Sequence, residues 1–330
     1  AGSQAVMAKA CSQYFMEVLP PTHSVLPVEN LLAVAIIVIF TAINLGGVSR
    51  GAWLQSLLTV AKVLGLVVLA GAALLFAGRP APTSSASFPA WGAILVVVFT
   101  YAGWNDSIYV AGEVKNPRRN LPLSLIGGTL IVTGLYLAFN FAYIYTTGGL
   151  GGGEKLTAAA GMVEAVFGGG ASRIVSLLAA LLILGTVSAM VVTGPRIAYA
   201  MALDGAIPKA LAALNPKGVP ASALILQGVI SVVFVAMGTL RQLFEWVGLA
   251  IVVFSALATA CVFIEQRRNR GGTDYRIPLY PLPPLLYILA SLAIAVYVAV
   301  ADPRSVVAVA LFVAAGFPVY FYSMRSAKRG

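Results

Sequence analysis

Charged residues are scarce in this chain, and their scarcity excludes a water-soluble domain. Only 10% of the 330 residues are Asp, Glu, Lys or Arg, whereas 60% are hydrophobic. A soluble domain carries about a quarter charged residues, so this composition does not supply a water-facing surface. Histidine and cysteine are scarcer still. Because His23 is the single histidine, and Cys11 and Cys261 lie far apart in sequence, we expect no metal site, no disulfide and no cofactor.

Long apolar runs are what the chain has in abundance. Runs near 20 residues recur along its whole length, and each could cross a hydrocarbon core about 30 Å thick. Because the bilayer core holds no water to satisfy backbone polar groups, such runs must form helices. The sequence therefore predicts an all-α integral membrane protein with one transmembrane domain over residues 1–330. We place a partial span at 4–19 and complete spans at 29–48, 53–77, 91–112, 122–147, 172–202, 220–239, 243–265, 282–301 and 303–323.

The basic residues indicate the orientation of these spans. The chain has a formal net charge of +10, which could suggest a nucleic-acid partner. When successive spans alternate in direction, however, most loop Lys and Arg residues fall on one side, including Lys115, Arg118 and Arg119. By the positive-inside rule that side is cytoplasmic, and the C-terminus lies inside. The charge is thus a topology signal. We expect no nucleic acid, and a multi-pass location in the cell membrane, plasma or inner.

Lys62 stands where a lysine is costly. It lies well inside the span 53–77, roughly 14 Å along a helix that rises about 1.5 Å per residue. Placing a lysine at that depth costs at least about 2.5 kcal/mol, and snorkelling to the interface, the alternative, would need nearly the full side chain. Intramembrane ionisable residues usually serve a transport pathway. We predict an ion-coupling role for Lys62: its ammonium could replace a bound sodium ion. Because desolvation favours the neutral amine, it could also exchange protons.

A polar stretch interrupts the span 91–112 about halfway along. Residues 99–107, FTYAGWNDS, combine a glycine, aromatic rings and consecutive polar side chains, which should face a protein-lined cavity rather than lipid. A helix broken there exposes free N–H groups and free carbonyls at its two half-helix ends. These groups can bind a carboxylate and an ammonium, the two charges of an amino acid. The alternative is a continuous helix with Gly103 at a helix crossing and Asn105 bonded to a neighbour.

Two further features are weaker candidates for function. The span 172–202 contains Ser188 within residues 185–188, GTVS, but hydroxyls inside helices often bond only to their own backbone one turn earlier. Phe244 and Trp246 stand near the outer start of the span 243–265. We interpret these two rings as interface anchors.

Three separated motifs resemble one family of transporters. Residues 99–122, FTYAGWNDSIYVAGEVKNPRRNLP, resemble the sixth helix and following loop of the amino acid–polyamine–organocation transporters. The Gly-Trp-Asn variant is most similar to their L-type branch, which handles neutral amino acids. Residues 58–62, LTVAK, resemble the fifth helix, and residues 193–208, TGPRIAYAMALDGAIP, resemble the eighth helix and its loop. The motifs follow the family's order, and the resemblance runs from about residue 3 to the C-terminus.

The resemblance implies a leucine-transporter-like fold, a five-plus-five inverted repeat with two additional C-terminal helices. On that map the spans are family helices four to twelve, and residues 1–19 match the latter part of the third. The family's first two helices are absent, including the Gly-Ser-Gly motif that contacts the substrate carboxylate. This implies an N-terminally truncated sequence.

The resemblance also implies roles for individual residues. Phe99 would be an aromatic gate over the substrate, Ala102 and Gly103 would lie in an unwound segment, and Asn105 would line the site. Lys62 matches the lysine that occupies a sodium position in sodium-independent members. The sequence departs from the family pattern at Ala102, where glycine is common, and at Ser188, where asparagine is common. The predicted substrate-binding residues are Phe99, Ala102, Gly103, Trp104, Asn105 and Ser188.

These features together predict a secondary transporter, an exchanger or proton-coupled symporter, that moves neutral amino acids by alternating access. The expected partners are the amino-acid substrate, the lipid bilayer and protons, with a second copy or a partner subunit left open. One alternative is a cationic amino acid or polyamine antiporter, in which Asp106 faces the cavity. Another is a non-transporting membrane scaffold, if the short chain is the natural product. An enzyme is disfavoured because the spans lack paired carboxylates or a His cluster.

Overall fold

The computed structural model describes residues 1–18, 28–47, 51–76, 94–103, 114–147, 162–164, 166, 168–268, 277 and 279–327. Most of these residues are helical and none of them is in a strand, which confirms the predicted all-α class. A short 3₁₀ helix spans Lys209–Ala212. The α-helices are α1 (Gly2–Val18), α2 (Val28–Leu45), α3 (Gly51–Phe76), α4 (Ile94–Thr100), α5 (Pro117–Thr147), α6 (Gly169–Leu203), α7 (Ala221–Met237), α8 (Leu240–Arg268), α9 (Leu282–Ala301) and α10 (Pro303–Ala327).

Seven of the helices in the described residues are long and apolar enough to cross a membrane. They are α2, α3, α5, α6, α8, α9 and α10. Helix α7 is also apolar but has 17 residues, and the predicted span 91–112 falls within the described residues only in part. A helix of about 20 apolar residues spans the hydrocarbon core. The chain is therefore a multi-pass membrane protein.

The chain divides into two compact units. The first comprises Ala1–Phe88 and Leu123–Leu240, and the second comprises Pro89–Pro122 and Arg241–Gly330. The first unit contains α1, α2, α3, α6, α7 and most of α5, and the second contains α4, α8, α9 and α10.

Helix α1 lies at the centre of the first unit, where it packs against α2, α6 and α7. Its alanines Ala5 and Ala8 are fully buried, and small residues of this kind let membrane helices approach closely. Its polar side chains find partners on the neighbouring helices. Lys9 donates to the carbonyl of Gly238, and Glu17 accepts a hydrogen bond from Ser176. Two charged residues that a lipid-facing helix would not tolerate are thus satisfied inside the protein.

The core of the second unit is aliphatic and lies where α8, α9 and α10 meet. Leu249, Val252, Val298 and Val309 form a buried cluster, and Trp246 packs against it. Phe244 lies against Phe99 of α4, with ring centroids 4.9 Å apart. Both aromatic residues that we interpreted as interface anchors therefore make packing contacts within this unit.

Candidate functional site

Lys62 is held between two membrane-spanning helices of the first unit. Its Nζ donates a hydrogen bond to Thr186 Oγ1 on α6 at 2.7 Å. Lys62 is half-buried and lies near the middle of α3, roughly 16 Å along the helix at about 1.5 Å per residue. The ammonium is therefore bound to a neutral hydroxyl of another span at depth, and the contact ties α3 to α6.

Thr186 is a residue that the sequence did not single out as a site residue. It belongs to the stretch 185–188, in which Ser188 was predicted to line the substrate cavity. Because successive helical residues are rotated by about 100°, Ser188 points to a different side of α6 from Thr186. Ser188 is half-buried. In the structure Lys62 thus contacts α6 within residues 185–188, but the residue that it contacts is Thr186.

Helix α4 ends inside the predicted span 91–112, close to the polar stretch. The amide of Tyr101 donates to the carbonyl of Val97 at 3.1 Å, and that of Ala102 donates to the carbonyl of Phe99 at 3.0 Å. The chain then turns at Gly103, whose φ is 102°. A glycine adopts such positive φ values without the steric cost of a Cβ. Near the end of α4 the carbonyls of Val97 and Phe99 thus accept backbone N–H groups, and the regular helical hydrogen-bond pattern stops before Gly103.

The predicted substrate-binding residues of this segment are only partly described. Phe99 is 5% exposed and packs edge-on against Phe244, an arrangement favoured by aromatic quadrupoles. Ala102 is half-buried and Gly103 is exposed. Trp104 and Asn105 lie outside the described residues, as does Asp106. The side chain predicted to be the gate is thus packed against Phe244 in this structure.

The described site residues fall into two groups, one in each unit. Lys62, Thr186 and Ser188 belong to the first unit, and Phe99, Ala102 and Gly103 belong to the second. Within the ranges that the structure describes, no group of three or more His, Cys, Asp or Glu residues could hold a metal ion. The first group offers an intramembrane ammonium bonded to a hydroxyl. The second offers a helix end that is followed by a glycine with positive φ.

Comparison with known proteins gives one consistent result. Residues 2–323 match a family model described as amino acid permease. The chain is 28% identical over 313 residues to the serine/threonine exchanger SteT of Bacillus subtilis (strain 168), covering 91% of this chain and 70% of that protein. It is 27% identical over 326 residues to the b(0,+)-type amino acid transporter 1 of Mus musculus, covering 94% of this chain and 65% of that protein. The chain thus spans about two thirds of the length of these relatives.

A third relative is less extensively aligned. The branched-chain amino acid permease BcaP of Lactococcus lactis subsp. cremoris (strain MG1363) is 26% identical over 212 residues, which cover 61% of this chain and 44% of that protein. All three relatives are described by their names as carriers of amino acids.

Proposed function

The chain belongs to the amino acid permease family, and from this premise we propose that the protein is a secondary transporter that moves neutral amino acids by alternating access. The observation that carries the proposal is the family match, which extends over residues 2–323. The family consists of transporters, so the membrane-enzyme alternative falls away. The polar features of the described residues fit the same activity, because a transporter places its ionisable and irregular segments where they line a pathway.

The names of two of the relatives favour a neutral substrate. One relative is a serine/threonine exchanger, and another is a branched-chain amino acid permease. Serine, threonine and the branched-chain amino acids all have uncharged side chains, and they share only the ammonium and carboxylate of an amino acid. A site built on backbone carbonyls and N–H groups at helix ends recognises those two shared charges.

In the proposed mechanism the substrate binds at the end of α4. Backbone carbonyl and N–H groups where the helix is interrupted near Gly103 would bind its ammonium and its carboxylate. Phe99 would close over the substrate from outside. Lys62, bonded to Thr186, would hold α3 and α6 together in the place of a sodium ion, and it could couple proton movement to transport.

We further propose that the protein lies in the cell membrane, plasma or inner, with its C-terminus in the cytoplasm. The basic residues Lys115, Arg118 and Arg119 are placed at the start of α5, and such residues mark the cytoplasmic side of a membrane protein. A protease or a membrane-impermeant reagent applied to intact cells should therefore leave a C-terminal tag intact.

Transport is tested by reconstituting the purified complete gene product into liposomes and measuring uptake of labelled serine and leucine. We expect saturable uptake that rises when unlabelled amino acid is loaded inside, as in an exchanger, or when the inside is alkaline, as in a proton symporter. Excess leucine should compete, whereas excess arginine should not. Liposomes without protein provide the background.

The same assay separates the alternatives. No saturable uptake of any amino acid would contradict the transporter proposal and favour a membrane scaffold. Competition by arginine rather than leucine would reassign the substrate to the cationic class. Uptake by the purified protein alone would show that no partner subunit is required.

A further inference from the structure

Helix α6 carries a proline in its interior, and that proline weakens the helix locally. Pro195 lies inside α6 and has no backbone N–H, so the carbonyl of Val191 loses its usual partner four residues later. Membrane helices tolerate such a residue when neighbouring helices or side chains satisfy the backbone around it. A side chain of a neighbouring helix can therefore bind backbone carbonyls of α6 next to Pro195 and fix the position of that helix.

Gln227 of α7 occupies that place. Its Nε2 donates to the carbonyl of Met190 on α6 at 3.0 Å, one residue before the carbonyl that Pro195 leaves unpaired. The same Nε2 donates to Gln4 Oε1 on α1 at 2.8 Å. Gln227 is only 8% exposed. Its side-chain amide therefore links α7, α6 and α1 through buried hydrogen bonds rather than through a surface contact.

Gly194 provides the space in which the amide lies. A Cβ added at Gly194 would be 2.0 Å from Gln227 Oε1 and 2.8 Å from its side-chain carbonyl carbon. No side chain tolerates such distances, so any residue larger than glycine would displace the amide. The Gly194–Pro195 pair of α6 is thus shaped to receive Gln227, in the way that small residues admit a neighbouring helix in membrane bundles.

The amide is also fixed from its other side. Gln4 is 1% exposed, and Ser231, one turn after Gln227 on α7, is fully buried. The Ser231 hydroxyl lies 3.1 Å from Gln4 Oε1 and 2.8 Å from the carbonyl of Gln227. The Gln227 amide is therefore bonded to both α1 and α6, and its acceptor on α1, Gln4 Oε1, is also bonded by Ser231 of α7.

We propose that Gln227 is a positioning residue that fixes α6 beside Pro195 and thereby holds the Thr186 hydroxyl against Lys62. Thr186 lies one helical turn before Met190, the residue whose carbonyl Gln227 binds. A shift of α6 at Met190 is therefore transmitted directly to Thr186. The part of this inference that concerns transport rests on the transporter function proposed above, whereas the part that concerns the helix contacts does not.

The contact itself is tested by a double-mutant cycle on thermal stability of the complete protein in detergent. Gly194→Ala should lower the melting temperature by several degrees, because the new Cβ strikes the buried amide. In a Gln227→Ala background the same change should cost much less, since the amide is gone. Gly65→Ala is the matched control, because a Cβ there meets nothing within 4 Å. Equal costs of Gly194→Ala in both backgrounds would overturn the contact.

The positioning role is tested by a second cycle, which pairs Gln227→Leu with Thr186→Val. If Gln227 holds Thr186 against Lys62, the double variant should lose less stability than the sum of the two single losses. Ser222→Ala is the control on the same helix; its hydroxyl is exposed and donates to the carbonyl of Ala210 at 2.7 Å. Its effect should add to that of Thr186→Val. Additive behaviour of Gln227→Leu would overturn the positioning role.

The kinetics of transport provide a further test, because a residue with a merely structural role would not change the maximal uptake rate selectively. Gln227→Leu should lower the maximal uptake rate by up to about tenfold, with little change in KM, because Gln227 is not among the residues proposed to bind the substrate. Gln227→Asn, which keeps the amide, should restore part of the rate. A changed KM with an unchanged maximal rate would overturn the proposal. If the wild-type protein does not transport, the proposed function fails, but the two stability cycles still decide the inference.

Discussion

Replacing Lys62 with methionine is expected to lower amino-acid uptake by at least about tenfold, close to the background of protein-free liposomes. Methionine keeps much of the apolar stem but removes the ammonium that donates to Thr186 Oγ1 at 2.7 Å. A hydrogen bond from a charged donor contributes about 1.5–3 kcal/mol, and about 1.4 kcal/mol is a factor of ten in an equilibrium. Uptake of labelled serine and leucine into proteoliposomes, normalised to the amount of reconstituted protein, measures the effect.

Variants of the partner residue separate the hydrogen bond from the charge. Thr186→Val removes the hydroxyl and leaves the ammonium, so it should lower uptake, but less than Lys62→Met does. Thr186→Ser keeps the hydroxyl and should transport nearly as well as the wild type. Lys209→Met is the matched control, because Lys209 is exposed on the short 3₁₀ helix. Wild-type uptake by Lys62→Met would refute the ion-coupling role of this lysine.

The sequence revealed Lys62 because the signal is local, a cation within an apolar run. Its partner was not predictable, since 124 residues separate the two and several hydroxyls lie on the same span. Thr186, Ser188 and Thr193 all belong to α6. Only the packing of α6 against α3 determines which hydroxyl meets the ammonium, and periodicity within one helix carries no information about that rotation.

The polar residues of α1 show the same limit for the fold. Lys9 and Glu17 lie within the partial span predicted at 4–19, and charges that face lipid are costly. In the structure both residues are satisfied by distant partners, Lys9 by the carbonyl of Gly238 and Glu17 by Ser176. Burial inside a bundle, rather than exposure to lipid, decides whether such a helix is tolerated, and burial depends on the other helices.

Helix ends were more predictable where turn residues mark them. Helix α9 spans Leu282–Ala301, the same bounds as the span that we placed at 282–301, because Pro281 precedes it and Pro303 follows it. Proline restricts the backbone of the residue before it and cannot continue a helical ladder. At the end of α4 the signal was instead the polar stretch after Phe99, and the chain does turn there, at Gly103.

Gly103 should be intolerant of any side chain, and Gly103→Ala is expected to lower uptake by about tenfold. The residue has a φ of 102°, a conformation that costs an L-residue about 1–2 kcal/mol. Alanine also favours continuation of the helix, which would cover the carbonyls proposed to bind the substrate ammonium. Because the loss falls on substrate binding, KM should rise, and uptake measured over a range of serine or leucine concentrations would show it.

The control for this prediction is the same substitution at a position without strain. Gly128 lies inside α5, and a Cβ added there meets nothing within 4 Å, so Gly128→Ala should leave uptake unchanged and stabilise the helix slightly. Lys62→Met and Gly103→Ala are expected to have different kinetic effects, since only Gly103 is among the residues proposed to bind the substrate. If Gly103→Ala binds and transports like the wild type, the end of α4 is a structural turn, and the substrate site must be sought elsewhere in the protein.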